Sequence, residues 1–299
     1  MDQATPYIML FPAMLLAVCV SIYPSLKTLL YSFEEYKLLK KQVTFVGFAN
    51  YAAALADKDF WSSLANTLFF AIVSVAAASV LAMYIATRLV KNYPGRGFFR
   101  AMFLVPWVTP PLAASFIWKI LLSENFSPIN SFLLGTGIIS QPINFLGSTQ
   151  VFAGFLSVPL IMLAIINVWC IFPFLMVMFI AALQTVPHDL YEAAAIDGAG
   201  TTQRFWKITL PIIAPMTAVS ILLEFIWQFN GFNVSYLVTK GGPLGHTKLL
   251  AVEVYTQAWT NFDYGYSATI SCLMLLIIAI PAVFYIRHTL YGDAAVRHQ

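Results

Sequence analysis

Six apolar runs, each long enough to cross a bilayer, alternate with polar connectors along this chain, at about 7–33, 61–87, 101–122, 151–183, 212–238 and 265–286. A membrane-crossing helix needs about 20 mostly apolar residues, and in hydrocarbon only a structure that satisfies its own backbone can span. The pattern therefore predicts an all-α, polytopic integral membrane protein. It has six transmembrane helices in a single domain over 1–299, with both termini on one side. The charge content agrees, at 10% of the residues against about 25% in a soluble domain.

Proline and glycine refine this outline. Pro106, Pro110 and Pro111 in the third run predict a kink or an unwound turn. The fourth run contains Pro159 and Pro173 and exceeds what a bilayer needs, which implies tilt or a protruding cytoplasmic end. Pro128, Gly135, Gly137, Pro142 and Gly147 mark the connector 123–150 as loop. The first run is too long for a signal-peptide core and lacks a strong basic flank, so it reads as a retained span.

Orientation follows from the basic residues. With both termini in the cytoplasm, eight Lys and Arg of the connectors and tail lie inside and six outside. That difference is small. The dense loop with Arg88, Lys91, Arg96 and Arg100, close to two membrane ends, decides it.

Between the fourth and fifth runs stands PHDLYEAAAIDGAGTTQRFWKITLP, residues 187–211. Pro187 suits a helix start, Asp189 and Glu192 lie near the positive end of its dipole, and Gly198 is a natural stop. Ala193, Ala194 and Ala195 give a smooth surface for a close partner. The physics gives a helix-break-helix element at the membrane surface.

The same segment resembles the cytoplasmic loop of permease subunits of binding-protein-dependent ABC importers. That loop has the form EAA, three residues, G, nine residues, I, any residue, LP. Here it reads Glu192-Ala193-Ala194, Gly198 and Ile208-Thr209-Leu210-Pro211 at every required spacing. The resemblance implies the type I ABC importer permease fold and a coupling helix that docks in a cleft on an ATPase, with Glu192, Ala193, Ala194, Asp197 and Gly198 at the contact. It further implies a second, homologous permease, two copies of the ATPase, and an extracytoplasmic solute-binding protein. ATP and Mg would be held by the ATPase, with no cofactor in this chain. The location implied is a bacterial or archaeal cytoplasmic membrane.

Candidates for the solute path lie mainly in the fifth run. A charge at the centre of a span costs roughly 2.5–3.5 kcal/mol on insertion scales, so Glu224 is a functional candidate by default. Ser220, Glu224, Gln228, Gly231 and Ser235 share one helical stripe. Asn230 and Asn233 point elsewhere unless the helix breaks near Gly231. The competing role for such groups is interhelical hydrogen bonding, which is also the expectation for Asn66 and for Asn167 in the fourth run. Trp227 and Phe232 beside the stripe offer aromatic faces to sugar C–H surfaces. A second resemblance points the same way. Phe232-Asn233, Thr239, Gly241-Gly242-Pro243, Thr247, Tyr255 and Tyr264-Gly265-Tyr266 look like the carbohydrate branch of the family, which takes up malto-oligosaccharides, other sugars and glycerol phosphates.

Other classes fit poorly. The sequence has no GxxxxGK[ST], HExxH or GxSxG, and its acids do not form a paired catalytic set. An ATPase partner would have to supply the energy. Cys19, Cys170 and Cys272 all lie in apolar runs without a CxxC, and the histidines stand at no metal-ligand spacing. A net charge of +3 gives no argument for nucleic acid. The alternative is an ion-coupled secondary transporter with Glu224 as proton carrier. It lacks the internal repeat many such carriers show and leaves the loop motif unexplained.

Overall fold

The computed structural model describes residues 5–40, 42–152 and 156–296. In chain order, α1 (Thr5–Leu16) continues through a π-helical stretch, Ala17–Ile22, into α2 (Tyr23–Tyr31). Then come β1 (Glu34–Lys37), β2 (Gln42–Phe45), α3 (Ala49–Ala56) and α4 (Lys58–Leu89). The next elements are α5 (Arg96–Val108), α6 (Pro111–Leu121), α7 (Pro128–Gly135), β3 (Val151–Phe152) and β4 (Leu156–Ser157). They are followed by α8 (Val158–Leu183), α9 (His188–Ile196), α10 (Thr201–Arg204) and α11 (Leu210–Phe229). The last are α12 (Asn233–Thr239), α13 (Leu250–Tyr255) and α14 (Tyr264–Val296). Among the described residues five helices are long and apolar enough to cross a membrane, and six if α5 and α6 together make one span.

Two expected spans are redrawn, and a third carries the kink that its prolines predict. The third is two helices at 93°, because Pro110 takes an extended conformation and Pro111 restarts the helix. The fourth starts at Val158, not near 151. The short strands β3 and β4 pair ahead of it, the Ser157 hydroxyl accepts from the Leu160 amide at 3.2 Å, and Pro159 falls in the first turn instead of mid-span. The fifth begins at Thr201, because a π-helical stretch over Phe205–Thr209 joins α10 to α11, and it stops at Phe229 instead of running to 238. The helix breaks near Gly231, the condition left open for Asn230 and Asn233. A Cβ on Gly231 would lie 2.8 Å from the Gln228 carbonyl oxygen and 3.4 Å from the Phe70 ring.

The chain divides into two compact units, residues 1–61 with 250–299, and 62–249. In the first, the hairpin pairs Glu34 with Phe45 and Lys37 with Gln42. The Lys40 ammonium, 2.9 Å from Glu35, holds that carboxyl below its ordinary range. The start of α14 is locked to this cap. Asn50 donates to the Ser32 and Glu34 carbonyls, Thr269 donates to Ser32 at 3.1 Å, and Tyr266 donates to the Asp57 carboxylate at 2.7 Å. Lys37 pairs with Asp263 at 3.4 Å. A Cβ on Gly265 would collide with the Glu34 carbonyl oxygen. Tyr264-Gly265-Tyr266 therefore has a packing reason that its sequence did not disclose.

In the second unit, Val75, Ala78, Ala82, Ile85, Ala86 and Leu89 form an i, i+3/i+4 stripe on α4. The small alanines let larger side chains of α8, among them Phe172, Leu175, Met176 and Phe179, fill the interface. Asn66, expected to bridge helices, instead donates to the Gly245 and Lys248 carbonyls at 3.3 and 3.2 Å and pins the 240–249 connector. Within that connector the Thr247 hydroxyl donates to the Gly242 carbonyl at 2.7 Å, and Ser235 donates to the Thr247 carbonyl at 2.6 Å. Gly242 and Thr247 are thus a staple.

Candidate functional site

The 187–211 segment folds as its physics implies. Pro187 is the N-cap, one residue ahead of the first helical position, and α9 follows. Gly198 has φ +77°, its amide bonds to the Ala195 carbonyl at 3.1 Å, and the Ala199 amide bonds to the Ala194 carbonyl at 2.8 Å. This is a Schellman cap, which satisfies carbonyls that the helix end leaves open. A Cβ on Gly198 would meet nothing within 4 Å, so only the backbone angle demands glycine there.

One side of α9 is tied inward and the other is open. Tyr191 shares a hydrogen bond of 2.8 Å with the hydroxyl of Thr209, which is buried at the base of α11. Outward stand Glu192, Ala193, Asp197 and Gly198, while Ala194 is half-buried. His188 pairs with Glu192 at 3.1 Å. Ile196 is 88% exposed at the end of the helix, a position the sequence reading missed. A large aliphatic side chain on a polar loop was the available signal.

The polar residues around α11 do not remain one stripe. Glu224 is buried at 2% exposure and accepts from the Gln228 amide at 2.6 Å. Ser220 and Ser235 are buried too, and Ser220 donates to its own helix at the Met216 carbonyl. The break at 230–232 turns the remaining groups outward. Asn230 and Asn233 are exposed, Gly231 and Gln228 are half-buried, and Trp227 is 49% exposed. Asn230 donates to the Ile226 carbonyl at 2.9 Å. Trp227 stands 5.2 Å from the Phe174 ring of α8, which stands 6.0 Å from Trp107 of α5, so three elements build one aromatic ledge. Asn167 is buried in α8 with its amide nitrogen unpartnered, not bonded to a neighbouring helix. Among the described residues no group of three His, Cys, Asp or Glu is placed to hold a metal ion.

With this geometry in view, the comparison with known proteins is decisive. The family described as "Binding-protein-dependent transport system inner membrane component" matches residues 78–288. The chain belongs to that family. The permease is 33% identical to the trehalose/maltose transport system permease protein MalF of Thermococcus litoralis, over 94% of this chain and 92% of the relative. It is 28% identical to the sn-glycerol-3-phosphate transport system permease protein UgpA of Agrobacterium fabrum, over 96% and 94%. To the diacetylchitobiose uptake system permease protein DasB of Streptomyces coelicolor it is 32% identical, over 94% and 85%. Among solved structures, a chain of a bacterial alginate ABC transporter, in complex with alginate pentasaccharide-bound periplasmic protein, superposes with a TM-score of 0.79. That match is at 18% identity and covers 95% and 93% of the two chains. The permease thus has the type I ABC importer fold and is an inner-membrane transport component. An ion-coupled carrier built on Glu224 finds no support in the family or its relatives.

Proposed function

We propose that the permease pairs with a second, homologous permease to form the path for a carbohydrate or sugar-phosphate-like solute delivered by an extracytoplasmic binding protein. Two copies of a cytoplasmic ATPase, holding ATP and Mg, drive alternating access. The observation that carries this reading is α9, fixed on one side to Thr209 and presenting Glu192, Ala193, Asp197, Gly198 and Ile196 on the other. Closure of an ATPase dimer pulls on that outer face, and the Tyr191–Thr209 bond carries the displacement to α11. A nucleotide drives such a change only through unequal affinity for the two states.

The solute class rests on the names of the relatives and on the ledge of Trp107, Phe174 and Trp227. An aromatic face suits the apolar side of a sugar ring, and the exposed Asn230 and Asn233 supply amides for its hydroxyls. Gly231 provides the break that exposes them.

The test is Ile196→Glu in cells expressing the permease with its ATPase. The expected result is loss of ATPase from the purified complex and loss of labelled maltose or trehalose uptake. Normal co-purification with normal uptake would remove α9 as the docking element. Uptake of neither sugar by an intact wild-type complex would exclude these two disaccharides and leave the import reading standing.

A further inference from the structure

A cavity of about 1180 Å³ opens beside α9, walled by α4, α8 and the base of α11. Its apolar lining includes Val80, Met83, Phe179, Leu183 and Ile221. Its rim carries Arg88, Lys91 and Arg204, and among the described residues lining it there is no Asp or Glu. None of the three cations forms a salt bridge among the described residues, and the Nε of Arg204 is buried without a partner. The Arg88 guanidinium rests 5.2 Å from the Tyr84 ring centre. Thr201 on the same wall begins a helix that runs to Phe229, and its N-cap Gly200 brings no side chain to cap it. The positive end of that helix therefore adds to the field of the cations.

We propose that this cavity binds an anionic phospholipid of the cytoplasmic leaflet. Arg88, Lys91 and Arg204 hold its phosphate, and an acyl chain lies along Val80, Met83 and Ile221. Cations above an apolar wall match an amphiphile with an anionic head, and unpaired cations near a membrane surface attract anionic lipid in particular. A soluble phosphate would use the rim and leave the wall bare. Val80 at 73% exposure needs hydrocarbon against it. The neighbouring basic residues are used differently. Arg100 donates to the Leu89 carbonyl at 2.8 Å and closes the end of α4, and Arg96 donates to Asn92. His188 and Tyr191 of α9 also line the cavity, so a bound lipid braces the coupling segment from within. The inference needs only the cytoplasmic orientation of the 88–100 loop, and stands whatever the solute is.

The experiment is native mass spectrometry of the full chain after exposure to equimolar phosphatidylglycerol and phosphatidylcholine. Selective retention of phosphatidylglycerol is expected, falling about fivefold for each cation removed in Arg88→Gln and Arg204→Gln. Arg88→Lys should keep most of it. Val80→Trp, which fills the apolar wall and leaves every charge in place, should lower retention of phosphatidylglycerol as well, and it answers the question if the charge variants fail to fold. Equal retention of both lipids by wild type would overturn the proposal. Displacement of phosphatidylglycerol by millimolar inorganic phosphate, with Val80→Trp silent, would make the site one for soluble phosphate. Loss of lipid on co-expression of a second permease, with a crosslink from Lys91→Cys to that partner, would make it a protein interface.

Discussion

The phenol of Tyr191 on α9 and the hydroxyl of Thr209 at the foot of α11 lie 2.8 Å apart, eighteen residues apart in sequence. Thr209 is the unspecified position of the Ile208-Thr209-Leu210-Pro211 signature, yet it is buried, and it is where α9 is bonded to the foot of α11. Tyr191→Phe keeps the ring and removes the bond, worth about 0.5–1.5 kcal/mol net. The complex should assemble normally and transport less solute per ATP hydrolysed. Measuring both rates in proteoliposomes checks this, and an unchanged ratio would make the bond a local brace only.

Gly198 should reject side chains because of its backbone, not for want of space. Gly198→Val at φ +77° carries a cost of about 1–2 kcal/mol for a left-handed residue. Gly198→Asn should be milder, since Asn tolerates that region. Solute-stimulated ATPase should fall in the order Gly, Asn, Val. Normal coupling in the Val variant would detach the cap from function.

At Gly265 the constraint is a collision. Gly265→Ala forces a Cβ into the Glu34 carbonyl, so hairpin and helix must part. A loss of about 1–3 kcal/mol is expected for such overpacking, seen as a lower thermal midpoint and yield in detergent. Uptake per surviving molecule should stay near wild type, which separates this glycine from the solute path.

Burial divides the candidates on span five. Trp227 and Asn233 are open, so Trp227→Ala and Asn233→Ala should weaken apparent solute affinity roughly two- to tenfold, as loss of one contact implies. Assembly should be unaffected. Gln228→Ala strips the buried Glu224 of its donor and should cost about 1–3 kcal/mol in the yield of intact complex. Uptake at several solute concentrations, beside complex yield, tells the two groups apart. A silent Trp227→Ala would remove the aromatic ledge from the path.

Topology has its own check. Asn92 is exposed in the basic loop. Asn92→Cys should resist an impermeant thiol reagent on intact cells and react once the membrane is opened, and labelling from outside would invert the orientation.

The sequence by itself determined a chain built of membrane-long apolar helices and the capped helix ended by Gly198. These follow from local rules: apolar length, proline and glycine geometry, and the positions of basic residues. It also carried the spacing from Glu192 to Pro211. The tertiary structure alone decided which faces are inside. Glu224, Ser220 and Ser235 share a stripe with Gln228 by helical spacing, but folding buries three of the four, two on α11 and Ser235 on α12, and only the packing neighbours fix that choice. The same holds for Asn66 and Asn167, one spent on a connector and one left unpartnered, and for Gly265, whose constraint is a carbonyl more than two hundred residues away. The cations Arg88 and Arg204 stand on one cavity through folding alone. A spacing rule reads one element at a time, whereas burial and close approach belong to pairs of elements.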